Sequence, residues 1–204
     1  MAGNATDGLS GAVPYLASLA LYRRWIRLRL EGLADDEAWH SIACEMPRAG
    51  RREMARTVVA GARGQEAVRL PLPVEGGASV LKRGRPEEWR VSLHGRWPAV
   101  HLGAIEAAYG ATPFYQHVIP LLREEIAGVA AGDPFAGLTW RLHGVIAGVL
   151  DVERLLPALR RIQSESPDRL ATLAREKSCG AHADISVIDV IFKKGPEAIF
   201  TLLG

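Results

Sequence analysis

An imidazole and two aromatic side chains recur at helical spacing in the middle of the chain. His101 follows Trp97 by four residues and precedes Tyr109 by eight, which places all three along one face of an α-helix. The aromatic rings could stack a sugar or a nucleobase, and His101 could act as a general base because an imidazole titrates near neutral pH. The alternative is a helix packed on a sheet, in which backbone groups satisfy the imidazole and the tyrosine hydroxyl.

Arginine supplies 21 of the 25 basic residues, and a guanidinium can bind a phosphate through two parallel hydrogen bonds. Arg56 is the predicted centre of such an anion site, which would suit a nucleotide-sugar diphosphate. The other basic residues of this site precede it or lie across a predicted hairpin: Arg48, Arg51, Arg52, Lys82, Arg83 and Arg85. The alternatives are a solvated basic surface and, for the arginine content itself, a GC-rich coding sequence.

Other chemical signatures are sparse. His40 and Cys44 could be neighbours on a helix, but no second pair has the ligand spacing of a zinc site. The motifs G-x-S-x-G, G-x-x-x-x-G-K-[ST] and G-x-G-x-x-G are absent, so neither a hydrolase nucleophile nor a glycine-rich phosphate loop is indicated. We therefore expect no metal and no cofactor. Asp189 either caps its own helix or is the carboxylate partner of a histidine.

The elements that would position these residues change type halfway along the chain. In the first half we predict a short buried strand at residues 9–16 and a short helix at 17–24. A second strand is predicted where Ile26, Leu28 and Leu30 alternate with charged residues, because a strand with one solvated face has a period of two.

A β-hairpin is predicted after the segment 35–52, which has no clear pattern. Its strands are residues 57–60 and 67–74, and the turn between them contains glycines that allow positive φ. The two prolines of the second strand lack backbone donors, so this strand should lie at a sheet edge or leave the sheet. A turn at 76–77, a surface loop at 82–86 and a short strand at 89–93 complete this half.

From Pro98 onward the spacing of apolar residues is helical. Proline suits the first turn of a helix, so helices are predicted to begin near Pro98, Pro120, Pro134 and Pro167. The third of these helices has an apolar face formed by Leu138, Leu142, Val145, Ile146 and Val149.

The C-terminal segment allows two interpretations. The β-branched residues at 186–189 suit a strand, whereas Gly195 after two lysines is typical of the end of a helix. We predict the helix, with a last short helix at 196–203. The predicted fold is then a single α/β domain over residues 1–204, with a mixed β-sheet in the N-terminal half and a helical C-terminal half.

Composition narrows the classes of protein to which the chain can belong. Of its 204 residues, 48% are hydrophobic and 24% are charged, as expected for a chain with a packed core. A net charge of +2 is too small to argue for nucleic acid or an anionic membrane. Cys44 and Cys179 match no disulfide framework, and neither a signal peptide nor a membrane span is indicated. We expect a cytoplasmic protein.

Three segments resemble the WbqC-like proteins of bacterial envelope-polysaccharide gene clusters, in the branch common in Bacteroidetes. The first, HGRWPAVHLGAIEAAYGATPFYQHVIPLL at 94–122, is similar to that branch's His-Gly-Asn-Trp, its His-containing helix and its Ala-Tyr-Gly. The second, DISVIDVIFKKGPEAIFTLL at 184–203, is similar to its closing helix and Gly-Pro. The third is RTVVAGARGQEAVRLPLPVEGG at 56–77, and a shorter match covers Pro14-Tyr15-Leu16.

Two regions depart from the family pattern. The family has Arg-Asn-Arg before the hairpin, whereas this chain has Met54-Ala55-Arg56, and a polar and aromatic cluster on the second strand has no counterpart between Glu31 and Glu53. If those groups hold substrate in the family, this chain has lost or changed that activity.

The resemblance implies a role in surface-polysaccharide assembly and leaves two hypotheses. In the first, the chain is a transferase that acts on a nucleotide-activated sugar, a small-molecule ligand. The expected catalytic residue is His101, and the expected substrate-binding residues are Tyr15, Arg56, Trp97, Tyr109 and Asp189. In the second, the chain is a non-catalytic family member that serves as a ligand-binding or protein-interaction module. The sequence predicts no oligomeric state.

Overall fold

Helices form most of the chain, including the half for which the sequence predicts a sheet. The computed structural model describes residues 11–46, 48–177 and 183–204. Within these residues the sheet consists of two antiparallel strands, and the other elements are α-helices and short 3-10 helices. The predicted mixed α/β architecture is therefore wrong, and the protein is mainly α-helical.

Helix α1 (Leu19–Glu31) occupies the segment in which alternating residues predict a strand. Its buried residues are spaced at helical intervals, and they are Leu19, Tyr22, Trp25, Ile26, Arg29 and Leu30. The alternation is misleading because the side chain of Arg29 is buried along its stem while Leu28 is only half-buried. Ser18 caps the helix by accepting a hydrogen bond from the backbone of Leu21.

The predicted strand at residues 9–16 is also wrong for the residues that the structure describes. Residues 11–16 form bends and turns that lead into α1. Leu16 has a φ of 41°, a conformation that an extended strand does not contain. Residues 9 and 10 lie outside the described residues.

Helix α2 (Asp35–Glu45) fills the segment that the sequence leaves unassigned. Three acidic residues stand in its first turn, where the helix dipole favours negative charge: Asp35, Asp36 and Glu37. A 3-10 segment (Arg48–Ala55) then leads into the hairpin.

The hairpin is present where the sequence predicts it, as β1 (Arg56–Val59) and β2 (Val68–Pro71). Its register pairs Arg56 with Pro71 and Val58 with Arg69. The residues that face the core are Thr57, Val59 and Leu70. Because strand side chains alternate between the two faces, the opposite face presents Arg56, Val58 and Arg69.

Helix α3 (Gly77–Arg83) lies where the sequence predicts a turn and a loop. Helix α4 (Trp97–Tyr109) confirms the predicted helical stripe, which is buried. Helix α5 (Tyr115–Ala127) contains Pro120 in its interior, so the predicted start at this proline is wrong. The helix begins five residues earlier, at a turn in which the Tyr115 amide donates to the carbonyl of Thr112.

The predicted strand at residues 89–93 is reduced to isolated bridges. Arg90 pairs with Pro134, and Val91 pairs with Val74. The backbone of this segment thus links the loop after the hairpin to the start of the next helix.

Five helices complete the chain: α6 (Phe135–Val149), α7 (Val152–Glu165), α8 (Pro167–Lys177), α9 (Ile188–Lys194) and α10 (Ala198–Leu202). The predicted helix starts near Pro134 and Pro167 and the predicted end at Gly195 are confirmed. The C-terminal segment is helical, as preferred from the sequence.

Buried apolar residues from both halves of the chain belong to one hydrophobic core. Helix α1 contacts α2, α7 and α10, and β1 contacts α4. In the ranges that the structure describes, we find no helix with the length and apolar character to cross a membrane.

Candidate functional site

The structure distributes the predicted site residues over three places. These are a core cluster of Tyr15, Trp97 and His101, a buried pair of Tyr109 and Asp189, and a surface cavity lined by Arg56. The residues therefore do not converge on one pocket.

The core cluster joins the start of α4 to the turn that precedes α1. The hydroxyl of Tyr15 lies 2.9 Å from Nδ1 of His101, and the ring centroids of Trp97 and His101 are 5.0 Å apart. Trp97 donates its indole N–H to the carbonyl of Ser92 at 2.9 Å. Tyr15 is fully buried and His101 is 2% exposed, so this imidazole packs as a core residue.

Burial lowers the pKa of His101 to about 4, although an interaction with the backbone of Pro71 opposes this shift. The ring is therefore neutral at physiological pH. The hydroxyl of Tyr15 lies within hydrogen-bond distance of Nδ1, so this ring nitrogen of His101 is directed at a group of the protein.

Tyr109 and Asp189 form the second buried group, between α4 and α9. The hydroxyl of Tyr109 accepts a hydrogen bond from the amide of Ala60 at 2.9 Å. Burial and the nearby carboxylate of Asp189 raise the pKa of this tyrosine. Within α9, Lys193 donates to the two carboxylate oxygens of Asp189 at 2.8 and 2.9 Å. Because Tyr109 contacts both Asp189 and Ala60, it connects α9 to the hairpin loop.

The third place is a surface cavity of about 310 Å³, which we call the Arg56 cavity. It lies between the turn before α1, the end of α2 and the outward face of the hairpin. Its lining residues are Pro14, Ala17, Ser18, Leu21, Met46, Glu53, Arg56, Thr57, Val58, Arg69 and Asp184. Its volume falls at the lower end of the range of small-molecule sites, roughly 300 to 1,000 Å³.

Two arginines reach this cavity from adjacent strands. Arg69 lies opposite Val58 in the hairpin register, and Arg56 precedes Val58 by two residues, so both arginines share the outward face. Arg56 donates to Glu53 at 3.0 Å, and its side chain is 30% exposed. In the described part of the chain, Arg69 makes no ion pair with a carboxylate.

The turn from Pro14 to Ser18 forms the opposite wall of the cavity. The hydroxyls of Thr57 and Ser186 both donate to the carbonyl of Leu16, each at 2.8 Å. These bonds hold Leu16 in its left-handed conformation, with φ at 41°. A non-glycine residue in this region costs about 1 to 3 kcal/mol and persists only where its surroundings determine it.

His101 supports this wall from inside the protein. It contacts the turn through the hydroxyl of Tyr15 and the hairpin through Pro71, which is the register partner of Arg56. His101 therefore acts on the cavity as a positioning residue, without reaching its interior.

The start of α1 borders the cavity but has no amides to offer a ligand. The amide of Leu19 donates to the carbonyl of Ile185 at 2.8 Å, and that of Ala20 to Ala183 at 3.0 Å. An anion in the cavity would depend on the arginine side chains, against the negative charges of Glu53 and Asp184.

The sequence analysis does not identify Arg69 as a member of this cavity, although the hairpin register places Arg69 on the same face as Arg56. It does predict Arg85 in this site, but in the structure Arg85 pairs with Glu88 and lines a different cavity. The side chains of Arg48 and Arg51 lie outside what the structure describes.

A second buried histidine, His143 of α6, was also missed. Its Nδ1 lies 2.9 Å from the hydroxyl of Tyr22, and its Nε2 lies 3.0 and 3.1 Å from the two oxygens of Asp35. Although burial of Asp35 acts in the opposite direction, hydrogen bonds from His143 and Trp25 lower the pKa of this carboxyl group. The group connects α1, α2 and α6 and surrounds His143 with aromatic rings.

Across the residues that can be described, no group of three or more His, Cys, Asp or Glu side chains could hold a metal ion. Comparisons of the chain with protein-family models, with curated proteins and with solved structures found no significant match.

Proposed function

We propose that this chain is a WbqC-like protein that acts in the assembly of bacterial surface polysaccharide and binds an anionic small molecule in the Arg56 cavity. The ligand class is that of nucleotide-activated sugars and related sugar phosphates. The observation that carries the proposal is the pair of outward-facing guanidinium groups, Arg56 and Arg69, in a cavity of about 310 Å³.

Guanidinium geometry supports an anionic ligand. Arginine has five N–H donors, and its planar fork matches a phosphate in two parallel hydrogen bonds. The bond to Glu53 uses one donor of Arg56. The cavity would hold a sugar phosphate or the diphosphate portion of a nucleotide sugar, with the remainder of a larger ligand lying outside.

Between the two roles that the motifs imply, a ligand-binding role agrees better with this geometry. A general base must reach the proton that it removes, whereas His101 is 2% exposed and its Nδ1 contacts the hydroxyl of Tyr15. We place the role in the cytoplasm, the reducing compartment that Cys44 and Cys179 favour.

A transferase remains a second candidate because the cavity contains carboxylates. Glu53 and Asp184 both line it, and a carboxylate can accept a proton from a sugar hydroxyl. In that case one of them, rather than His101, is the proton acceptor.

Thermal unfolding of the purified protein tests the proposal. Its ligands would be nucleoside-diphosphate sugars, inorganic phosphate and pyrophosphate. A ligand at 100 times its Kd stabilises the folded state by about 2.7 kcal/mol, which in a chain of this size raises Tm by roughly 5 to 10 °C. We expect this rise with at least one nucleotide sugar, and its loss in Arg56→Ala and Arg69→Ala.

The matched control is Arg83→Ala, which removes an exposed arginine of α3 that does not line the cavity. It should retain the full response. Turnover by wild type that is lost in Glu53→Gln or Asp184→Asn would establish the transferase. If no nucleotide sugar stabilises the wild type, or if Arg56→Ala responds like the wild type, the proposal is wrong.

A further inference from the structure

A second cavity, at the C-terminal end of α2, gathers the soft donor atoms of the described chain. We call it the α2 cavity, and its volume is about 280 Å³. Its lining includes His40, Cys44, Met46, Met54, Arg85 and Glu87. The chain contains three methionines, and both of those beyond the first residue border this space.

Helix α2 brings the first two donors together. His40 and Cys44 are one helical turn apart, and Sγ of Cys44 lies 3.4 Å from Nε2 of His40. Metal bonds of about 2.3 Å to sulfur and about 2.0 Å to nitrogen, at a tetrahedral angle, would separate the two atoms by about 3.5 Å. The pair is therefore spaced as two ligands of one ion would be.

The methionines enter from the chain that follows α2. Met46 is the C-cap residue of the helix, and Met54 stands in the 3-10 segment before β1, where it is 2% exposed. The carbonyl of Met54 accepts a hydrogen bond from Tyr15 at 2.7 Å, so its backbone position is determined. Thioethers and thiolates are soft ligands that select Cu(I) over hard cations.

The types of donor around the α2 cavity favour Cu(I). Cu(I) bound to one thiolate is neutral, and the guanidinium of Arg85, which also lines the cavity, already pairs with Glu88. The carboxylate of Glu87 is a hard ligand, which suits Mg²⁺ or Ca²⁺ better than a soft cation.

We propose that the α2 cavity binds a thiophilic monovalent metal ion, Cu(I), through Sγ of Cys44, Nε2 of His40 and the thioethers of Met46 and Met54. The site is independent of the ligand proposed for the Arg56 cavity, although Met46 borders both spaces. His40 and Cys44 alone fall short of a classical metal site, and the methionines supply the missing donors.

Competition with a chelator under anaerobic conditions tests this proposal. The protein is titrated into the Cu(I) complex of bicinchoninate, in a Cys179→Ser background that removes the other thiol. We expect the protein to withdraw about one Cu(I) per chain, as one set of soft ligands requires. Cys44→Ser and His40→Gln should each weaken binding by more than the roughly tenfold effect of changes outside the ligand shell.

Met54→Leu separates a ligand role from a packing role. Leucine and methionine have similar volumes, so this exchange keeps the fold at a cost below about 1.5 kcal/mol, and thermal unfolding without copper verifies this. It should weaken Cu(I) binding, while His117→Gln, an exposed histidine of α5, should not. Failure to withdraw Cu(I), or equal binding by His40→Gln and its parent, would overturn the proposal.

Discussion

Among the described residues, His101 and His143 are both buried beside tyrosine hydroxyls. The His101–Tyr15 and His143–Tyr22 contacts are both 2.9 Å long. His143 has the carboxylate of Asp35 on its other side. His101 has the weaker partner, a backbone carbonyl, so burial dominates and the neutral form is required.

The first prediction concerns the pH dependence of stability. The pKa of His101 falls from 6.5 to about 4 on folding, so between these values the unfolded chain binds more protons than the folded one. Stability should be fully present above pH 6.5 and should decline as the pH falls towards 4, by roughly 3 kcal/mol at 1.36 kcal/mol per pKa unit.

Urea unfolding of wild type and His101→Gln at a series of pH values measures this effect. The variant should show a flatter decline, because glutamine does not titrate. His117→Gln, at an exposed position of α5, should decline like the wild type. Equal slopes for wild type and His101→Gln would mean that folding leaves the pKa of His101 unchanged, contrary to this prediction.

At the scale of single residues, the sequence predicts which side chains share a helix face better than it predicts which partners they contact. The stripe of Trp97, His101 and Tyr109 is correctly predicted as one helical face, since helical spacing alone determines it. Its partners could not be predicted, because Tyr15 and Asp189 are brought to it by the long-range packing of other elements. These partners bury the stripe. Because His101 is buried with it, His101 is a core residue and not an accessible general base.

At the scale of elements, local backbone signals locate the hairpin and the end of α9, although Pro120 lies inside α5 and does not mark its start. The hairpin and the helix end at Gly195 are where the sequence places them, because each depends on local backbone chemistry. The strand predicted at residues 26–30 fails because its alternation is compatible with α1 once the stem of Arg29 is buried. Helix α2 has too few apolar residues to be recognised, although its acidic first turn is a usable signal.

The second prediction concerns the junction of α9 and α10. Gly195 has φ of 57° and ψ of −135°, a region essentially reserved for glycine. A Cβ at this position would lie 2.4 Å from the ring of Phe114. Gly195→Ala should therefore destabilise the fold by at least about 3 kcal/mol, the sum of backbone strain and a core clash.

Gly103→Ala is the matched control, measured by the same urea unfolding. Gly103 lies on the exposed side of α4, where a Cβ would meet no atom within 4 Å. This exchange should stabilise the protein by about 1 kcal/mol, the difference in helix propensity. Similar stabilities for the two variants would contradict the close approach of Phe114 to the junction.

At the scale of the whole molecule, ion pairs offset part of the charge of the arginines. Most of the ion pairs of the described chain contain an arginine, and they join Arg24 to Glu45, Arg29 to Glu153, Arg56 to Glu53, Arg85 to Glu88, Arg141 to Glu125 and Arg154 to Asp151. The net charge of the chain is +2. In the Arg56 cavity, Arg69 adds a second guanidinium to the ion pair of Arg56 and Glu53.

NMR spectroscopy of the arginine side chains can show whether an anionic sugar ligand binds at the Arg56 cavity. The Nε–Hε resonances, assigned by substitution, are followed while a nucleotide sugar is added. If the ligand binds in this cavity, the resonances of Arg56 and Arg69 shift saturably with one common Kd, while those of Arg83 and Arg154 do not shift. Saturable binding that leaves the resonances of Arg56 and Arg69 unchanged would place the ligand elsewhere and rule out the Arg56 cavity.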